Sequence, residues 1–139
     1  MRKKLLFIVF MITSMVISAQ SFIGAWEAYH TSENGEPLRS VVIFTEGYQV
    51  LSTYNAESGK FVHSNGGSWE LDGNSMTEKV EFHTDDADRV GMESTFDVMI
   101  TDTVMGIVGD DLKFKRIDDG TPGELQGAWL MSGRQRDGQ

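Results

Sequence analysis

Glu78 carries the strongest chemical claim in the sequence. It lies in the alternating run 75–84 (SMTEKVEFHT) on the same parity as Met76, Val80 and Phe82, so a strand there would send its carboxylate to the apolar side. A carboxylate so placed must be paired, protonated or turned towards a wet cavity. Arg39 and Arg116 are candidate counterions, and the functional alternative is a polar anchor inside a ligand cavity. His30, His63 and His83 could meet across neighbouring strands, but their spacing follows no short zinc motif, and exposure on polar strand faces accounts for them. Asp85, Asp86 and Asp88 offer a loop of oxygens, yet Arg89 sits among them and the alternation of a calcium loop is missing, which favours a solvated turn. No metal site is expected.

The remaining chemistries are excluded more simply. Cysteine is absent, which removes disulfides, thiol nucleophiles and Cys-based zinc sites. There is no nucleophile elbow, no phosphate-cradling Gly loop and no HExxH, and Gly66-Gly67 reads as a hairpin turn. An acid–base pair of Glu78 with a histidine would need contact at ~3 Å or through one water. The opposite parities of Glu78 and His83 argue against it. No catalytic residue and no cofactor are expected, so the chain does not read as an enzyme.

The elements that must position these residues are short strands. Period-two patterning with a turn signal every 8 to 12 residues runs from Phe22 onward. The runs are 39–45, 48–54, 60–63, 69–71, 75–84, 92–100, 104–108 and 112–117, with Asn65-Gly66-Gly67 and Asp72-Gly73-Asn74 among the turns. Only 84–90 suggests a loop with a helical turn. A barrel or a sandwich would satisfy this all-β, antiparallel pattern. Consecutive hairpin-length connections favour a closed up-and-down β-barrel of about eight or nine strands. Tyr48, Tyr54, Phe61 and Trp69 supply its central aromatics.

Composition sets the destination and the partners. Met1-Arg2-Lys3-Lys4, the 13-residue apolar run Leu5–Ile17 and Ser18-Ala19-Gln20 have the form of a cleaved signal peptide over 1–20. An apolar run of that length spans about 20 Å, short of a bilayer core. No Cys follows it to carry a lipid, so a periplasmic or secreted protein without a membrane anchor is expected. The full chain carries −9; without Arg2, Lys3 and Lys4, nine basic residues stand against 21 acidic ones, a net charge of −12. Such a chain repels phosphate backbones, and nucleic acid is not an expected partner.

An internal repeat sets the domain limits. Phe22-Ile23-Gly24-Ala25-Trp26 and Leu125-Gln126-Gly127-Ala128-Trp129 match at an offset of 103 residues, and the same offset places Asn34-Gly35 on Asp137-Gly138. The expected organisation is a barrel over 21–119, a linker over 120–123 and the start of a second, truncated repeat over 124–139. The sequence then reads as a fragment of a two-unit protein in preference to one whose 124–132 segment docks as a lone strand.

Gly24-Ala25-Trp26 resembles the G-x-W signature of the lipocalin and calycin barrels. With it, the GGSW of 66–69 and the TEKVEF of 77–82 resemble small exported lipocalin-like bacterial domains of unknown function, over most of 22–119. The resemblance implies that Trp26 closes one end of the barrel and that Arg116, near the end of the last strand, lies across its ring as a structural plug. Such a cation–π pair is worth about 0.5–2 kcal/mol. It also implies non-catalytic binding of a small, partly apolar ligand at the barrel mouth, with Tyr54, Trp69, Glu78 and Phe82 as candidate lining. The alternative is a protein-interaction or structural module whose barrel is filled by side chains.

Overall fold

A computed structural model gives the structure of residues 18–130. Residues 1–17 and 131–139 lie outside the described residues, and with them most of the expected signal peptide and the end of the expected second repeat. Eight strands follow one another: β1 Gly24–Thr31, β2 Pro37–Phe44, β3 Tyr48–Asn55, β4 Phe61–Asp72, β5 Ser75–His83, β6 Glu93–Ile100, β7 Val104–Ile107 and β8 Lys113–Arg116. Each pairs antiparallel with the next, and β1 pairs with β8, so the sheet closes on itself. The fold is an all-β up-and-down barrel, and among the described residues helix is confined to two three-residue 3-10 turns, Ala19–Ser21 and Ala87–Arg89. The seam is narrow. Only Trp26 with Arg116 and Glu27 with Lys115 stand in register across β1 and β8.

The strand count falls to eight because Asn65-Gly66-Gly67 is not a turn. β4 runs through it unbroken for 12 residues. The two glycines answer a need for space. A Cβ on Gly66 would stand 2.5 Å from the Gln49 carbonyl oxygen, and one on Gly67 would collide with the carbonyl of Lys79. Neighbouring strands press onto β4 here, where side chains would hold them apart.

β5 carries an extra residue at the same level. Gly66 pairs with Phe82 and Gly67 with Val80, leaving Glu81 without a partner. One added residue reverses the alternation beyond it. Met76, Glu78 and Val80 therefore face inwards as the pattern predicts, whereas Phe82 turns outwards, 39% exposed, and His83 turns in.

The apolar faces of the strands meet in a core of Phe22, Trp26, Val42, Phe44, Trp69, Met76, Val98 and Met105. At the lower end, where β1 begins and β8 ends, Phe44 meets Trp69 edge-on at 5.2 Å between ring centroids, and Phe22 lies 5.8 Å from Phe44. Trp26 is wholly buried and donates its indole N–H to the Phe22 carbonyl at 2.9 Å. The Arg116 guanidinium lies 4.2 Å from the Trp26 ring centroid. Its remaining donors reach the carbonyls of Ser21, Ile23 and Asp102 and the carboxylate of Asp118. Gly24 makes this possible: a Cβ there would stand 2.6 Å from Arg116 Nη1 and 2.7 Å from the Asp118 carboxylate.

The second Gly-Ala-Trp copy shares two local features with the first. Trp129 donates to the Leu125 carbonyl at 2.9 Å, as Trp26 does to Phe22, and Gly127 has φ 128° where Gly24 has 136°. No strand forms over 124–130, and Trp129 is 72% exposed.

Candidate functional site

The inward faces of β2 to β8 line a cavity of about 250 Å³ that opens to solvent. Phe22 and Phe44 form its base, Val42, Leu51, Met76, Phe96, Val98, Met105 and Phe114 its walls, and Asp110 and Leu112, from the turn between β7 and β8, lie at its upper end. The lining is apolar except for Gln49, Asn65, Glu78 and Asp110. Strand alternation delivers the first three: Gln49 pairs with Gly67 and Asn65 with Leu51, while Glu78 stands between Trp69 and Ser94.

Among the described residues, Glu78 has no counterion. Arg39 bonds Glu27 at 2.8 Å and Arg116 pairs with Asp118 at 3.2 Å, so neither expected partner reaches it. Burial, with nothing to offset it, pushes the Glu78 carboxyl above the ordinary 4.5. Among the described residues, no hydrogen bond or ion pair engages the side chains of Gln49, Asn65 or Glu78, and no fully enclosed side-chain N or O lacks a partner. These polar groups therefore keep their hydrogen-bonding capacity directed into the cavity.

The other sequence-selected residues lie elsewhere. Trp69 is 4% exposed and belongs to the aromatic packing below the cavity, where its indole N–H is shared between the carbonyls of Thr45 and Tyr48 at 3.0 and 3.2 Å. Tyr54 faces outwards in register with Arg39, its ring 5.9 Å from Phe61. Phe82 lies on the outer wall over Gly66 because of the Glu81 bulge. Of the four side chains read as ligand-lining, Glu78 alone reaches the cavity.

The histidines correct the sequence reading in a second way. His63 and His83 are half-buried on the inner face near the upper rim, stacked with ring planes 2° apart and centroids 6.1 Å apart. The bulge puts His83 on the same side as Glu78, so the parity argument against an acid–base pair fails. Among the described residues, however, no hydrogen bond or ion pair joins the two groups, and burial is what raises the Glu78 carboxyl. His83 Nδ1 accepts the backbone N–H groups of Asp85 and Asp86, and Asp86 accepts that of Asp88, so these loop groups are engaged in shaping the turn. His30 Nε2 meets Ser40 Oγ at 2.9 Å, and Ser40 meets Thr53 Oγ1 at 2.7 Å, an internally satisfied chain within the barrel. Among the described residues, no group of three or more His, Asp or Glu gathers to hold a metal ion.

Gln49, Asn65, Ser40 and Thr53 carry neither a charge nor a ring to mark them in the sequence. The signal was there: Gln49 interrupts an apolar parity that continues through Leu51, as Glu78 does between Met76 and Val80. No protein-family model matches this chain, and no curated protein matches it.

Proposed function

We propose that the protein is an exported, lipocalin-like barrel that binds a small, partly apolar molecule without transforming it. The observation that carries this reading is the apolar cavity with three unengaged polar side chains, Gln49, Asn65 and Glu78, on its wall. Apolar walls with a few converging polar groups are the usual composition of a ligand site. The volume of about 250 Å³ sets the scale: a dry cavity of about 150 Å³ holds benzene, so a guest of about ten non-hydrogen atoms is suitable. The leader pattern of 1–20 supports action in the periplasm or outside the cell, with the guest met there.

Ligand-observed NMR with toluene and 1-octanol tests the reading. Both should bind the intact chain, and Leu51→Trp, which places an indole in the cavity, should abolish binding while the thermal midpoint confirms folding. Absence of binding by the unmodified protein refutes a ligand cavity. A second reading, an interaction module, draws support from the outer wall, where Ile43, Tyr48, Val50 and Phe82 are 39–50% exposed. It requires that Ile43→Ser with Val50→Ser leave small-molecule binding intact while abolishing capture of a protein partner.

A further inference from the structure

We infer that the guest is cationic: a protonated primary amine at the end of an apolar body of about ten non-hydrogen atoms. The inference rests on the proposed small-molecule reading and names the chemical class that this site selects. The charge of the lining carries it. Glu78 and Asp110 are the ionisable groups of the cavity wall, and no basic side chain joins them.

Three cations of the adjoining strands are already engaged, Lys113 at the upper end of this cavity, and Lys79 and Lys115 alternate with the inward residues Glu78 and Phe114 onto the outer face. Arg39 is held by Glu27, Arg116 by Trp26, Asp118 and backbone carbonyls, and the Lys113 ammonium by the carbonyls of Ile107 and Asp110. A neutral guest would leave Glu78 without a counterion. A carboxylate guest would bring a further negative charge into a poorly solvated space, where like charges repel most strongly. An ammonium carries three donors and no acceptor. The wall offers acceptors of that kind: the Glu78 carboxylate, with the side-chain carbonyl oxygens of Gln49 and Asn65 further along it. The apolar remainder would lie against Leu51, Met76, Phe96 and Val98.

The two charges also compete with protons. Burial pushes the Glu78 carboxyl up, and an ammonium beside it would draw it back down, so amine affinity must fall in acid. The other titratable groups on the inner side are Asp110 with the Lys113 ammonium at the upper end, His63 and His83 near the rim, and His30, which is bonded to Ser40; Gln49, Asn65, Trp69 and Ser94 around Glu78 are neutral.

Octylamine, 1-octanol and octanoate, titrated into the intact chain at neutral pH by calorimetry, separate the possibilities. The expected order is octylamine tightest, by about tenfold over 1-octanol, with octanoate weakest. Glu78→Gln should bring octylamine down to the level of 1-octanol while 1-octanol binding holds and the thermal midpoint does not fall. Octylamine binding no tighter than 1-octanol, or an amine preference that survives Glu78→Gln, overturns the amine inference and leaves the small-molecule reading standing. Failure of all three to bind overturns both.

Discussion

Replacing Glu78 by Gln removes one charge and almost no volume, so its effect on stability isolates the cost of holding a carboxylate in the barrel. Because burial raises the folded-state pKa above 4.5, the native protein keeps a proton over a pH range in which the unfolded chain has already released it. Stability must then fall as pH rises through that range, with a limiting slope of about 1.36 kcal/mol per pH unit for one group. Below the ordinary carboxylate range both states are protonated and the penalty is absent; above the folded pKa it is present in full. An unpartnered buried polar group costs about 1–3 kcal/mol and more when charged; the amide keeps the polar group and drops only the charge, and the site faces a cavity, so the difference lies at the low end, near 1 kcal/mol. Glu78→Gln should therefore be more stable than the unmodified protein at neutral pH by about that amount, roughly 4–8 °C in Tm for a domain of about 100 residues. Urea unfolding of both proteins across a pH series tests this, and taking the difference cancels the other carboxylates. A variant less stable at neutral pH, or an advantage that persists undiminished in acid, would show that the protein already satisfies the Glu78 charge.

Two further substitutions test the architecture around the cavity. Trp26→Ala removes a wholly buried side chain and should cost about 3–5 kcal/mol in chemical denaturation; a loss below about 1 kcal/mol would contradict the packed seat beneath Arg116. Gly67→Ala forces a methyl against the Lys79 carbonyl and should cost about 1–3 kcal/mol with displaced amide resonances along β4 and β5. Unchanged resonances there would mean that these backbones do not approach as described.

The barrel was readable in the sequence because its strands alternate cleanly and its connections are short. The register of Trp26 with Arg116 follows from the same regularity, since the first and last strands of a closed meander must meet. Local departures from period two were invisible. Nothing in the stretch from Glu78 to His83 marks Glu81 as the extra residue; the bulge arises from the pinch at Gly66 and Gly67, and that pinch is a property of the closed sheet. Parity therefore placed Glu78 correctly and failed three or four residues later for Phe82 and His83. Asn65-Gly66-Gly67 misled for a related reason: a strand that needs glycine for close approach and a turn that needs it for conformation look alike in one dimension. Tyr54 and Trp69 were selected as aromatics, and aromatic character alone does not distinguish an outer wall from a packed base.

The brevity of β8 has a kinetic corollary. With two residue pairs fastening it to β1, this join contains far fewer backbone bonds than the seven or eight pairs linking β2 to each of its neighbours. Transient parting of the wall should begin there, and amides of Glu27 and Lys115 should exchange with deuterium sooner than those of Val41 and Val42. A molecule lodged inside would then depart at a pace governed by a latch of a few bonds, however tightly the chamber itself grips it.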